Sequence, residues 1–538
     1  MSITVSQQAG KVFTTRQLVD QMDEYVQQAA RQGKPLDEVE RTLFDSALKI
    51  GFAATEQFLQ LQGNGDLGET VQTADGRTLQ RSAEPTERPL RTVFGQHILR
   101  AYGYAPGPHK KIELRPVDAR LALPPGDFSY LFEQFSQYFC IDQAFGQAAR
   151  GIQMVLRQQV SVNSLEGINR RVGQQAGQFL DQLPTPPAAQ EGELLLFTGD
   201  CKGVPLVQQE AQQVPLFQAE LERPGNRRMA TLAGVYSVDR HVRTPQQIVA
   251  ALFRDDSVAQ PPERPQPQFK HVVACFARQY KDGEETLEVS GTTEAFSWAA
   301  VQVEARRQPG QRLIRLMDGQ ESLWETADAC LPVPAQETVD ILDILHVSSQ
   351  VWRAAKVLYA QQESREALVR DRLLRILQGE GRGVVSGLRR MASTWKLSRA
   401  ERAEIRKVCR YLESNLHRMR YDKYLRAGYP IATGVIEGAC RHLVKDRMER
   451  SGMRWRLAGA QPMLNVRAVY QSSYWDSFHK IRMAEEQDRI HPHRHLLAGY
   501  VPKPLAAKRV TGYTHSDRRP IYLDLTLQVN FSGGLIPR

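Results

Sequence analysis

No apolar run in this chain approaches the roughly 20 residues that a membrane-crossing helix requires. The candidates ELLLF and HVVACFA read instead as buried strands. The opening residues, MSITVSQQAGKVF, lack the apolar stretch of a secretory leader. Cysteine is scarce: six residues (Cys140, Cys201, Cys275, Cys330, Cys409 and Cys440) with no CxxC pair among them. That argues against a disulfide framework or a zinc ribbon and fits a reducing cytoplasm. What is present is 41% hydrophobic and 24% charged residues, the balance of a soluble globular protein. A length of 538 residues implies two to four domains. The net charge of +10 points to a polyanionic partner, although many basic proteins bind no nucleic acid.

The texture changes along the chain. Residues 1–65 read as helical: TTRQLVDQMDEYVQQAARQG spaces Leu18, Met22 and Val26 by four, and DEVERTLFDSALKIGFAATEQFLQLQG continues the pattern. Residues 66–125 alternate and carry Gly and Pro turns, the mark of a small antiparallel sheet. Helical periodicity returns over 126–183. There the break VSVNS precedes a polar-basic helix from near Ser164 that carries Asn169, Arg170 and Arg171. That outline fits a helix-turn-helix DNA-binding unit and, equally, an ordinary helical hairpin. PTPPAAQ (184–190) is a linker by composition.

From 191 to 345 strands alternate with helices, which implies an α/β sheet. GELLLFTG is a strand ending at Asp200, and MATLAGVYSV is a second. The window VQQEAQQVPLFQAELERPGNRR between them reads as an excursion. TPQQIVAALF is a helix opened by a Thr cap and a Pro at its first position. SWAAVQVEARRQ is a further helix, QRLIRLM a strand ending at Asp318, and VDILDILHV a strand running into Asp343 and His346. Residues 346–428 read as an all-helical, Arg/Lys-rich insertion. The sheet domain resumes over 429–496 with a helix bearing Glu437 in its first turn. Residues 497–538 form a basic, Pro-rich tail.

Cleaving a phosphodiester requires activating a water or hydroxyl and stabilising the departing oxygen. Two divalent ions about 3.5–4 Å apart do both, and converging carboxylates make the hard-oxygen cage that Mg²⁺ favours. Asp200 and Asp318, read at strand ends on the rim of an α/β sheet, and Glu437, on a distal helix, are the expected cage. Asp200 is expected to bridge both ions while Asp318 and Glu437 each hold one. Each alone has an ordinary reading, the aspartates as turn caps and the glutamate as a partner of the helix dipole. Their order along the chain is that of a ribonuclease H-like nuclease.

The segments TGDCKGVP, MATLAGVYSVD, RTPQQIVAALF and ILDILHV resemble the ISKra group of bacterial insertion-sequence transposases. So, above all, do TGVIEGACRHLVKDRMERSGMRW and GAQPMLNVRAVYQSSYWDSF. The resemblance spans about 195–480. It implies an α/β ribonuclease H-like core and fits the all-α insertion; joined to the reading of residues 1–183 above, the expected protein is multidomain, with a mainly helical N-terminal DNA-binding region containing a small β-sheet. It also implies two Mg²⁺ (or Mn²⁺) ions per site and a triad of Asp200, Asp318 and Glu437. Asp343 and His346 match the Asp/Cys-x-x-His motif of such enzymes. Asp343 is also a rival second aspartate; MDGQ around Asp318 matches that motif better. The chain has DCKG where relatives show DGKG. It also lacks the cysteines that relatives often carry in YGYAPGPHKKIELRPVDARLALPPGDFSY, so a zinc site is not expected there.

Several further residues have both a DNA-contacting and a structural reading. Arg441 and Lys445 follow Glu437 at i+4 and i+8, on one face of a regular helix, where a phosphate backbone would meet them. A Glu437–Arg441 ion pair is the alternative. Lys202, Arg447 and Arg454 are further DNA candidates, and Trp455 either stacks on a distorted base or lies in the core. His491, His493 and His495 read as a solvated loop rather than a metal site. The expectation is a transposase that cuts double-stranded DNA at its element's ends and joins the 3′-ends to target, as at least a homodimer and away from membranes. Its rivals are another ribonuclease H-like nuclease, such as a resolvase, and a non-catalytic, domesticated DNA-binding protein.

Overall fold

The computed structural model describes residues 14–212, 226–258, 263–283, 285–331, 333–450 and 452–505. Most of the excursion after the first core strand, and the tail beyond 505, lie outside the described residues. Two helices, Thr15–Gln32 and Leu36–Gln60, come first. Short antiparallel strands follow: Thr70–Gln72, Thr78–Arg81 and Tyr104–Ala105 in one small sheet, and Thr86–Thr92 with Gly95–Ala101 in a hairpin. Helices Tyr130–Asp142, Phe145–Leu156 and α1 (Val162–Asp181) lead into the core.

The core is a five-stranded mixed sheet of β1 (Leu194–Pro205), β2 (Arg227–Val238), β3 (Gln268–Cys275), β4 (Leu313–Met317) and β5 (Thr338–Leu342). The spatial order is β5-β4-β1-β2-β3. β1, β2 and β3 run antiparallel, while β4 and β5 run parallel to β1. Helix α2 (Gly291–Arg306), begun by the Ser290 side chain accepting the Thr293 N–H, joins β3 to β4 by way of a small hairpin. Alternate side chains of each strand enter two cores. Phe197, Leu313 and Met317 face α2 and the neighbouring N- and C-terminal helices. Leu196, Ile314, Leu316 and Ile341 face α3 (Ile344–Leu358) and the helices Gln362–Leu377, Gly381–Thr394, Arg399–Ser414 and Tyr421–Arg426. The chain then crosses the sheet as α4 (Gly434–Ala439), followed by α5 (Leu457–Gln471) and α6 (Trp475–Ile490). No described helix is long and apolar enough to cross a membrane.

Two strand boundaries differ from the sequence reading. β1 does not stop at Asp200: it continues to Pro205, because antiparallel pairing with β2 extends to Pro205↔Arg227 and satisfies the backbone of a segment with little apolar character. β5 stops at Leu342, because the Asp343 carboxylate accepts the Leu345 N–H at 2.7 Å and starts α3, which places His346 on a helix.

The reading of 162–181 as a recognition helix is also corrected in part. α1 starts at Val162 and turns Leu165, Ile168, Val172 and Ala176 into the core. Gly173 meets α5 so closely that an added Cβ would lie 2.3 Å from the Pro462 carbonyl oxygen. Asn169 is 1% exposed and donates to Gln137 at 2.9 Å, and Arg171 pairs with the wholly buried Glu133. Of the three polar residues, Arg170 alone is exposed, where it pairs with Glu166. The histidines near 493 are not all in solvent either, since His491 lies 2.8 Å from the Leu123 carbonyl.

Candidate metal centre

The site is built by register. Met317 at the end of β4 stands opposite Gly199 of β1 and opposite Leu342 of β5. The next residue on each of these three parallel strands is an aspartate: Asp200, Asp318 and Asp343. The Asp343 N–H continues the ladder to the Met317 carbonyl at 2.9 Å. Three carboxylates are therefore level across three adjacent strands, at the point where β4 and β5 end and β1 runs on.

Glu437 reaches the same place from α4. α4 lies over β1 and β2, with Ile436 packed against Gly234 at ordinary van der Waals distance. Thr433, at the start of α4, donates its N–H (3.1 Å) and its hydroxyl to Asp343 Oδ2. Asp343 thus ties the start of α3 to the start of α4 and is 0% exposed. Beyond Glu437 the helix widens to π geometry over Cys440–Lys445. This turns the Cys440 thiol onto Asp200 Oδ2 at 3.1 Å, while the Cys201 N–H holds Oδ1 at 2.6 Å. Burial, reinforced by Asp200, pushes the Cys440 thiol far up, so it stays protonated and donates.

Asp318 Oδ1 accepts the Gln320 N–H at 2.9 Å, a tight Asx turn. The helical insertion closes over that turn. Tyr411 lies where a Cβ on Gly319 would come within 2.6 Å of it, and burial pushes its phenol up to about 12. Arg418 stacks 4.2 Å above the Trp324 ring, whose Nε1 donates to the Asp318 carbonyl at 2.7 Å. Asp343, His346 and Glu437 each offer a donor atom, all within 4.8 Å of one another.

Among the described residues, no ion pair to Lys or Arg neutralises Asp200, Asp318 or Glu437. Burial of Asp318, and partial desolvation of the more exposed Glu437, hold their carboxyls above the ordinary range, with nearby carboxylates adding to the shift. An uncompensated cluster of hard oxygen donors fits a divalent cation. A group whose acid is weakened on folding gives stability that is lost as pH rises through its folded value. The metal-free protein is therefore expected to gain thermal stability from Asp318→Asn at neutral pH, and the gain should vanish below the ordinary carboxylate range. Melting curves at several pH values with EDTA check this; a gain independent of pH would refute it.

The remaining sequence candidates separate into two sets. Lys202 is half-buried beside Asp200, and Arg441, Lys445 and Arg454 are exposed. The i+4, i+8 alignment with Glu437 does not survive the π-helical stretch, and Arg441 pairs with Asp446 at 3.8 Å. Arg447 is withdrawn as a DNA contact: it is 0% exposed, donates to the Cys140 carbonyl at 2.9 Å and lies against Phe145 and Trp455. Trp455 is likewise buried and donates to the Met448 carbonyl at 3.1 Å, which rules out base stacking in this conformation. Cys440, Thr433 and Tyr411 were not picked out by the sequence reading, since each contact arises only where distant segments meet. No protein-family model matches the chain, and no curated protein is significantly similar to it.

Proposed function

We propose that the chain is a DNA transposase of ribonuclease H-like fold, cutting and joining DNA by metal-dependent phosphodiester chemistry. The observation that carries this reading is the alignment of Asp200, Asp318 and Asp343 on three parallel strands, met by Glu437 from beyond a helical insertion. The strand order, with β1–β3 antiparallel and β4 and β5 added in parallel, supports the fold assignment. Two Mg²⁺ or Mn²⁺ ions would activate the attacking water or hydroxyl and stabilise the leaving oxygen. Asp200, Asp318 and Glu437 would hold them.

The chain's own residues supply the rest. Cys440 and the Cys201 N–H fix the Asp200 carboxylate, the Asx turn fixes Asp318, and Asp343 fixes α4 and with it Glu437. Lys202 beside the site, and the exposed Arg441, Lys445 and Arg454 of the segment after Glu437, are the cations proposed to meet the phosphates of double-stranded DNA. Two element ends must be held together, so the working form is at least a homodimer.

The test is an assay of the full chain with labelled element ends and target DNA in Mg²⁺ or Mn²⁺, beside Asp200→Asn and Glu437→Gln. Cleavage followed by joining of 3′-ends, absent from both variants, is the expected result. Nicking of branched DNA without joining would favour a resolvase-like nuclease. Binding without cleavage would favour a non-catalytic DNA-binding protein.

A further inference from the structure

Nitrogen has no place in an all-carboxylate cage, yet an imidazole stands inside this one. We infer that His346, Glu437 and Asp343 form a mixed nitrogen–oxygen cation site that takes Mn²⁺ or a similar transition ion in preference to Mg²⁺. The inference deepens the proposed function and rests on it for the role of Glu437.

The geometry comes from the starts of two helices. Asp343 caps α3, and His346 follows it by three residues, which puts both on one side of that helix's first turn. Glu437 sits in the first turn of α4, which Thr433 fastens to the same Asp343. The donor atoms of the three side chains lie within 4.8 Å of one another. A first-row ion with donor distances of about 2.0–2.2 Å holds neighbouring ligands about 3.0–3.6 Å apart, so the set closes on an ion by side-chain rotation of His346 and Glu437 toward the fixed Asp343.

The three donors differ in mobility. Asp343 is wholly buried, and its carboxylate already accepts from Thr433 and Leu345, so it is a fixed point. His346 is half-buried and Glu437 exposed, which leaves a route for the ion to enter. Asp343 Oδ1 keeps a lone pair after accepting one N–H. Imidazole suits Zn²⁺, Ni²⁺ and Cu²⁺ best, and Mn²⁺, though it also favours oxygen, is a first-row transition ion that accepts nitrogen, whereas Mg²⁺ keeps to oxygen and water. The Asp200–Asp318 side of the centre offers carboxylates alone.

The probe is Mn²⁺ added to the full chain, read by pulsed EPR and by titration, with no DNA present. Nitrogen modulation from a coordinated imidazole is expected in the wild type and in Asp200→Asn, and its loss in His346→Ala. The same His346→Ala variant should bind Mn²⁺ more weakly by at least about tenfold, while its Mg²⁺ affinity stays near that of the wild type. Mn²⁺ binding with no nitrogen coupling, or coupling that persists in His346→Ala, overturns the inference and leaves the transposase reading intact. Absence of any Mn²⁺ or Mg²⁺ binding overturns both.

Discussion

If the chain cuts DNA as proposed, alanine at Asp318 is expected to leave a folded protein whose cleavage falls by about 10³-fold or more, whereas alanine at Asp343 should unfold the protein more readily as well. Losing a metal-holding carboxylate removes several kcal/mol of transition-state stabilisation, and each 1.36 kcal/mol is about tenfold in rate. The Asp318 carboxylate accepts one backbone N–H in a half-buried turn, so its removal leaves few groups without a partner. Asp343 is different. Its buried carboxylate accepts the Thr433 N–H, the Thr433 hydroxyl and the Leu345 N–H. Removing it leaves three donors unpartnered, at about 1–3 kcal/mol for each buried group, and about 3–5 kcal/mol together is a reasonable sum given local relaxation. α4 then loses its anchor, and Glu437 moves with it. Denaturant titration alongside the cleavage assay separates the two effects. If Asp343→Ala were as stable as the wild type and inactive while Asp318→Ala kept its activity, the roles given to these two aspartates would have to be exchanged.

How far the sequence disclosed this site depended on the range of the contacts involved. Asp318 was legible because QRLIRLM is a buried apolar run and the turn after it is local. Glu437 was legible because its helix and flanking residues are contiguous. Asp200 was found for a reason the structure amends: it lies within a 12-residue strand, not at its end, and what ends beside it is the neighbouring β4. The level alignment with Asp343 depends on strand register, which no single segment encodes. The π-helical stretch at Cys440–Lys445 also escaped, since regular 3.6-residue spacing was the only ruler available. The buried cations misled most. Arg447 and Arg171 look like DNA contacts in a basic segment, yet their partners, the Cys140 carbonyl and Glu133, sit hundreds or tens of residues away.

The same lesson applies with the largest structural consequence at Arg306, which ends α2 behind the sheet. Its side chain is 0% exposed and forms a two-pronged pair with Glu191, at 2.7 and 2.9 Å, just before β1 begins. A third N–H reaches the Val235 carbonyl at 3.1 Å, where the pairing of β2 with β3 slips register. One side chain thus fastens α2 to β2 and to the segment that leads into β1. The pair's formation gains little over two apolar residues, because both charges are taken out of water; breaking it leaves one of them buried alone. Arg306→Leu is therefore expected to cost about 3–5 kcal/mol, whereas Arg306→Leu with Glu191→Leu should recover most of that loss. Urea unfolding of the two variants measures the difference. A double variant no more stable than the single one would show that the Val235 carbonyl, left without its donor in both, is the contact that matters, and that the ion pair serves only to hold Arg306 against it.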